Sequence, residues 1–223
     1  MPVPEFSIVI PSARASNLKG CLQSILENEP SFPSDRILVV DDGARTECQP
    51  LFPSVSWISG MKPFIFARNI NLGIRAAGTD VLLLNDDARL KTKGGFTLLS
   101  NFMKDRPDVG ICSSAIEGYV GNPNQEAGKT GFRTEERVVA FISIYIPRAV
   151  YRVIGLLDER FTAYGGDDMD YSDRVRRAGL LLGIHGDSVV THGEVPSTFR
   201  TKEDAYPLFL QGLDIYEAKK RTG

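Results

Sequence analysis

Short apolar runs alternate with amphipathic segments through the first half of the chain. Residues 6–10 read FSIVI and residues 37–40 read ILVV, and runs this short and this apolar are typical of strands buried on both faces. The amphipathic segments between them have helical spacing; Ser16 or Asn17 is the expected N-cap of the first, and Gly78 the stop of the second. The predicted strands cover residues 6–10, 37–40, 55–59 and 81–84, and the predicted helices cover residues 18–26, 67–77 and 96–104.

The second half of the chain is less regular. Strands are predicted at residues 109–116 and 138–146, with further strand up to residue 192. Residues 117–136 are rich in glycine, asparagine, proline and charge, which predicts a long loop. Helices are predicted over residues 148–154, 167–178 and 205–220. Buried strands that alternate with amphipathic helices predict a single α/β domain over residues 1–223, with a mostly parallel central sheet covered by helices on both faces.

The bulk composition excludes several classes of protein. The 223 residues carry a formal net charge of −2, which gives no overall attraction to nucleic acid or acidic membranes. Three widely spaced cysteines indicate reduced, buried thiols. No apolar run approaches the ~20 residues of a membrane span, and the N-terminus lacks the basic region of a signal peptide. We therefore expect a cytoplasmic protein; the oligomeric state stays open.

Two pairs of carboxylates follow buried strands. Asp41 and Asp42 end the second strand, and Asp86 and Asp87 follow the run VLLL. The carboxyl ends of parallel strands meet at one edge of a sheet, where ligands bind, and crowded carboxylates need a cation or hydrogen-bond donors. A divalent ion that also holds phosphates is the simplest answer. The alternative is ordinary turn chemistry at both places, with Arg89 pairing with an acid.

A third acidic cluster lies in YGGDDMDYSDR, residues 164–174. Acids in the first turn of a helix are favoured by the helix dipole, and Asp170/Arg174 and Asp173/Arg177 have the spacing of surface ion pairs. Three acids in four positions after two glycines also suit a positioned general base. His192, one of two histidines, follows a strand-like run and is expected at a strand end.

Taken together, these stretches resemble the family-2 glycosyltransferases, which have the GT-A (Rossmann-like) fold, an α/β/α sandwich. The resemblance covers most of the chain from residue 6 to about residue 193. It is carried, in order, by FSIVIPSARASNLKGCLQSIL, ILVVDDGA, ARNINLGIRAAGTDVLLLNDDA, IGLLDERFTAYGGDDMDYSDRVRRAG and SVVTHG. It implies a nucleotide-sugar-binding half over residues 1–110 and an acceptor-binding half over residues 111–223.

The resemblance also implies a role for individual residues. Asp168 would be the catalytic base, and Asp87 and His192 would hold Mn²⁺ or Mg²⁺ at the diphosphate of the donor. Asp170 and Arg174 would brace their helix. The nucleotide would contact a larger set of residues: Pro11, Ser12, Arg14, Asp42, Arg68 and Asp86.

Two positions depart from the family pattern. Asn85 stands where a full D-x-D motif has its first acid, and Asp167 stands where the family usually has glutamate. The implied reaction is metal-dependent transfer of a sugar from a nucleotide-diphosphate sugar to an acceptor hydroxyl, with inversion. The expected acceptor is a glycan, a lipid-linked glycan or a small molecule; basic residues downstream of residue 128 leave a hydroxylated DNA base as a minority option.

Other classes are weighed against this reading. A dinucleotide oxidoreductase needs G-x-G-x-x-G after the first strand, and a nucleotidyltransferase needs a glycine-rich, lysine-bearing loop there; PSARASNLKG is neither. The remaining alternative is a non-catalytic nucleotide- or sugar-binding module on a transferase fold.

Overall fold

Nine strands form one sheet in the part of the chain that this computed structural model describes, namely residues 6–118, 121–162, 164–193 and 202–222. The strands are β1 Phe6–Ser12, β2 Ile37–Asp41, β3 Ser56–Ser59, β4 Asp80–Leu84, β5 Ala88–Leu90, β6 Val109–Gly118, β7 Phe132–Glu135, β8 Ser143–Ile146 and β9 Leu181–His192. The helices are α1 Ala15–Asn28, α2 Arg45–Cys48, α3 Phe66–Ala77, α4 Gly95–Lys104, α5 Arg148–Ile154, α6 Asp167–Arg177 and α7 Lys202–Thr222.

The first four strands of the sheet order, β3-β2-β1-β4, are all parallel. Their side chains alternate between two apolar cores: Ile8 and Ile10 of β1 pack with α1 and α4, and Val9 packs with α3. Because both faces are covered by helices, these strands are apolar throughout. The predicted α/β/α fold class is confirmed.

The strands of the second half continue the same sheet. Strand β8 runs antiparallel to both β4 and β6, and β9 runs parallel to β6. Strand β9 therefore points in the same direction as β1 and β4, and its carboxyl end lies at the same edge of the sheet. Strand β5, which the sequence did not predict, pairs antiparallel with the end of β9 and sets Ala88 opposite His192.

Three predictions about local structure are wrong. Helix α1 begins at Ala15, and Arg14 occupies its N-cap without a side-chain bond, so neither Ser16 nor Asn17 caps it. The predicted loop over residues 117–136 contains the end of β6, a 3-10 turn at Pro123–Gln125 and strand β7. The predicted strand over residues 138–146 is a strand only at Ser143–Ile146.

Two expectations from the composition concern the state of the cysteines and membrane-spanning segments. Cys21, Cys48 and Cys112 are all buried free thiols. Within the described residues, no helix is long and apolar enough to cross a membrane.

Candidate active site

Two strand ends bring Ser12 and Asp86 into contact. Ser12 ends β1, opposite Asp41 of β2, while Asp86 follows β4, the other neighbour of β1. The Ser12 hydroxyl donates a hydrogen bond to Asp86 Oδ2 at 2.6 Å, and both residues are buried. The sequence predicted both residues at the site, and their direct bond follows from the order of the strands.

Asp87 and His192 form the second pair at this edge. His192 Nε2 lies 3.4 Å from Asp87 Oδ1, and about one tenth of each side chain is exposed. The pairing of β5 with β9 produces this contact, because Asp87 directly precedes Ala88, the partner of His192. The two predicted metal-binding residues are therefore neighbours in the structure.

These donors fit a metal ion that is partly held by its substrate. Asp87 offers a carboxylate oxygen, the ligand type that suits Mg²⁺ and Mn²⁺, and His192 adds an imidazole nitrogen. Among the described residues, no group of three or more histidine, cysteine, aspartate or glutamate side chains is arranged to hold a metal by itself. Ions of this kind are commonly bound by one or two protein groups together with substrate phosphates, and Asn85 is consistent with so small a set.

The neighbouring acids Asp41 and Asp42 differ in their hydrogen-bond partners. Asp41 Oδ1 accepts hydrogen bonds from the backbone amides of Gly43, Ala44 and Arg45 at 2.7–3.0 Å, which is the turn chemistry of the alternative reading. Asp42 has 9% of its side chain exposed, and its Oδ1 has no hydrogen-bond partner among the described residues. Burial raises the pKa of Asp42.

The loop after β3 and the first turn of α3 place further polar groups beside Asp42. Lys62 Nζ lies 3.9 Å from Asp42 Oδ1. Arg68 donates to the Met61 and Pro63 carbonyls, and Asn69 Oδ1 accepts from the Met61 amide. The buried Arg68 Nε and Asn69 Nδ2 have no partner in the described part of the chain. Buried polar atoms without partners are rare, so this cluster is suited to a polar ligand.

We expect Asp41→Ala and Asp42→Ala to have opposite consequences. Asp41→Ala leaves three amides unsatisfied and should cost about 1–2 kcal/mol of stability, seen as a lower thermal midpoint. Asp42→Ala removes a carboxylate whose ionisation opposes folding, so the midpoint should stay or rise, while affinity for a nucleoside diphosphate falls about ten-fold. Calorimetry and nucleotide titration of both variants check this; a large stability loss in Asp42→Ala would contradict it.

Pro11 and Arg14 flank Ser12 but differ in exposure. Pro11 is buried in β1 opposite Val40. Arg14 is exposed at the start of α1. Both therefore lie at the carboxyl edge, Pro11 within the sheet and Arg14 with its side chain in solvent.

Asp167 and Asp168 begin helix α6 after a glycine turn. Gly165 and Gly166 have φ of +79° and +87°, in the left-handed region that glycine adopts without strain. Burial raises the pKa of both carboxyls, and the Asp168 charge raises the pKa of Asp167 further. Asp168 Oδ1 accepts a bond from the Met169 amide at 2.8 Å. Backbone bonds favour the ionised form of both carboxyls, so the further rise in the pKa of Asp167 is what makes Asp168 the better candidate for a charged base.

The course of α6 takes these acids to the same edge as His192. Helix α6 ends at Arg177 and β9 begins at Leu181, and the helix packs on that strand. The helix must therefore run opposite to β9, with its N-terminus towards the carboxyl end of the strand. On the other side, Tyr171 packs on Phe141, and the Ile142 carbonyl accepts from the Asn85 amide.

The ion pairs of α6 are only partly those predicted. Arg174 Nε lies 2.9 Å from Asp170 Oδ2, but Asp170 is buried rather than on the surface. Asp173 pairs with Arg176 at 3.0 Å, three residues away, so the predicted partner Arg177 is wrong.

The sequence did not single out several residues that hold the site together. Asn71 exchanges two hydrogen bonds with the backbone of Leu157, which ties α3 to the segment before α6. Lys219 lies 2.7 Å from Asp158 and 2.6 Å from Asp170. Both links join residues about 50 to 90 positions apart, and no local spacing signals such contacts.

A single α/β domain with a mostly parallel sheet flanked by helices is the fold of a class of protein, the GT-A glycosyltransferases. Residues 7–154 match the profile of Glycosyl transferase family 2. The chain belongs to this family, as the resemblance predicted. Helix α6, His192 and α7 lie outside the matched residues. None of the curated proteins is similar enough to match the chain.

Solved structures share the fold at low sequence identity. The crystal structure of GalNAc-T7 with UDP, GalNAc and Mn²⁺ superposes with a TM-score of 0.73 at 14% identity, covering 96% of this chain and 48% of that one. The mannosyltransferase PcManGT from Pyrobaculum calidifontis, in complex with GDP-Man and Mn²⁺, gives 0.64 at 16% identity, over 90% and 59%. S. aureus TarS 1–349 gives 0.63 at 14% identity, over 84% and 60%. The chain thus spans about half to three fifths of these proteins.

Proposed function

We propose that this chain transfers a sugar from a nucleotide-diphosphate sugar to an acceptor hydroxyl, with a divalent metal and with inversion at the anomeric carbon. One observation carries the proposal. The Asp87–His192 pair, the Ser12–Asp86 pair and the Asp42 carboxylate, whose Oδ1 has no hydrogen-bond partner among the described residues, all lie along the edge where β1, β2, β4 and β9 end. Nucleotide ligands bind at this edge in open α/β sheets.

Each part of the donor then meets groups of suitable chemistry. The base would lie in the cluster of Asp42, Lys62, Arg68 and Asn69, whose partnerless atoms include both donors and an acceptor. Asp86, held by Ser12, would face the ribose. Asp87 and His192 would hold the metal, which stabilises the negative charge that develops on the departing diphosphate. GalNAc-T7 with UDP and Mn²⁺ and PcManGT with GDP-Man and Mn²⁺ support this choice of ligands.

Asp168 would act as the general base. Its carboxylate would take the proton from the acceptor hydroxyl while that oxygen bonds to the anomeric carbon and the sugar–phosphate bond breaks on the opposite face. The diphosphate leaves with the bonding electron pair. The raised pKa supports this role, because a base works best when its pKa approaches the working pH.

The acceptor is proposed to be a glycan, a lipid-linked glycan or a small molecule rather than DNA. Arg133, one of the basic residues considered for a polyanion, donates to the carbonyls of Asn124, Glu126 and Lys129 at 2.9–3.3 Å. Arg174 is taken up by Asp170 and by the Ile154 carbonyl. Two of these basic side chains, Arg133 and Arg174, are thus hydrogen-bonded within the protein itself.

A thermal-shift screen of UDP, GDP and their sugar conjugates, with and without Mn²⁺, tests the function. We expect one nucleotide to raise the thermal midpoint, and Mn²⁺ to be required for most of the rise. The matching sugar conjugate should then be hydrolysed or transferred. A nucleotide that binds without turnover on any acceptor would favour the non-catalytic binding module, and no hit at all would overturn the proposed transfer.

We expect the transfer rate to fall in mild acid. The base is active when ionised, and a raised pKa means that it is protonated at a higher pH than an ordinary aspartate of pKa about 3.9. The plateau rate should therefore decline, as the pH is lowered, well before that value is reached. A pH profile of kcat at saturating donor and Mn²⁺ checks this, and a flat profile down to about pH 4 would contradict it.

A further inference from the structure

The backbone of helix α7 lies so close to the glycine turn that no side chain fits between them at Gly212 or Gly166. A methyl group added at Gly212 would lie 2.2 Å from the Gly165 carbonyl oxygen and 2.5 Å from that of Tyr164. One added at Gly166 would lie 2.6 Å from the Gly212 oxygen. Both surfaces are backbone, so neither has a side chain that can move aside. The turn that leads into Asp167 and Asp168 is therefore shaped to receive α7.

Ion pairs connect α7 to residues on both sides of the glycine turn. The Lys219 ammonium lies 2.7 Å from Asp158, before the turn, and 2.6 Å from Asp170, after it. Asp170 is buried, and 14% of the Asp158 side chain is exposed. Arg160 also donates to both oxygens of the Asp158 carboxylate, and Arg174 donates to the Asp170 oxygen that Lys219 does not contact. One ammonium thus joins two segments that flank the proposed base.

The contacts of α7 follow one face of the helix. Phe209, Gly212, Tyr216 and Lys219 are spaced by three, four and three residues, which places them on one side. Phe209 approaches Gly165, and the Tyr216 hydroxyl donates to Asp173. We call these four residues the docking face. Every member contacts α6 or the segment that leads into it.

We propose that α7 is the element that positions the catalytic segment, with Gly212 and Lys219 as positioning residues for Asp168. The proposal rests on the proposed function in so far as Asp168 is the base. Neither residue belongs to the proposed donor site; both contact the segment around Asp168. They fix the backbone of residues 164–170, and with it the direction in which the Asp168 carboxylate points.

Hydrogen exchange on the whole chain tests the proposal with two variants and matched controls. Lys219→Met removes the ion pairs, and Lys219→Arg retains the charge. Gly212→Ala adds the obstructing methyl while introducing a better helix former. The controls are Arg221→Met and Gln211→Ala, which alter exposed neighbours on the same helix.

We expect exchange at residues 164–170 to become about ten-fold faster in Lys219→Met and Gly212→Ala. It should stay at the wild-type rate in both controls and return towards that rate in Lys219→Arg. Affinity for UDP or GDP with Mn²⁺ should not change, because the docking face lies apart from the nucleotide cluster. Unchanged exchange in Gly212→Ala, or exchange that is faster throughout the chain rather than at this segment, would overturn the proposal.

The carboxyl signals of Asp167 and Asp168 supply a second readout that a merely structural role would leave unmoved. Since α7 covers one side of the turn, displacing it in Gly212→Ala should admit water and lower the pKa of these carboxyls towards the ordinary value, measured by NMR on aspartate-labelled protein. The two proposals fail separately. A wild-type transfer rate in Asp168→Asn removes the base and leaves the exchange result standing; unchanged exchange removes the positioning role whatever Asp168 does.

Discussion

Replacing Asp168 with asparagine is expected to lower the transfer rate by about 10²–10⁴-fold. Asparagine has nearly the same shape and can still accept the bond from the Met169 amide, so the start of α6 should persist. It cannot accept a proton from the acceptor hydroxyl. Single-turnover transfer rates under saturating donor and Mn²⁺ measure the loss, and titration with UDP or GDP should show unchanged affinity.

Asp167→Asn is the matched control for the base. The Asp168 charge raises the pKa of Asp167 beyond the effect of burial, so Asp167 carries less negative charge at neutral pH. We expect a smaller loss in Asp167→Asn than in Asp168→Asn. A larger loss in Asp167→Asn than in Asp168→Asn would show that Asp167 is the base. Full activity in both variants would show that neither carboxylate acts as the base.

Asp87→Ala is expected to abolish the contribution of Mn²⁺ to nucleotide binding. Asp87 and His192 are the two protein groups proposed to hold the ion, and the carboxylate would supply the negative charge. Without it, affinity for UDP or GDP in the presence of Mn²⁺ should fall to the metal-free value, and transfer should be lost. Titrations with and without Mn²⁺, on wild type and variant, give the comparison directly.

Asp105→Ala is a suitable control for that experiment. Asp105 is an exposed acid at the end of α4, so the substitution removes the same charge at a surface position. Its response to Mn²⁺ should equal that of the wild type. An Asp87→Ala variant that also keeps the full response would show that the ion is held elsewhere.

The strong patterns of the sequence predicted the parallel half of the sheet because burial on both faces leaves runs such as ILVV. The same reasoning was wrong at residues 138–146. Val139, Phe141 and Ile142 are buried, but the Ala140 amide and carbonyl bond to the Gln125 side chain rather than to a strand. Burial alone produced an apolar run there, and apolarity does not distinguish a strand from a packed irregular segment.

The site itself was predictable only as a set of residues near one edge. Its contacts depend on β5, whose three residues are too few to show a period, yet this strand sets Asp87 opposite His192. The docking face of α7 was equally hidden. It consists of two aromatic residues, a glycine and a lysine, so the sequence shows no apolar stripe there. Its ion pairs also join distant parts of the chain.

The central claim is that Asp42, Asp86 and Asp87 converge on one donor site. Diffraction from crystals soaked with Mn²⁺ and UDP, or with Mn²⁺ and GDP, tests it most directly. We predict one anomalous peak within coordination distance of the Asp87 carboxylate and the His192 imidazole, bridged to the nucleotide diphosphate, with the base beside Asp42 and Arg68. A nucleotide bound at another surface, or an ion bound away from Asp87, would contradict the account.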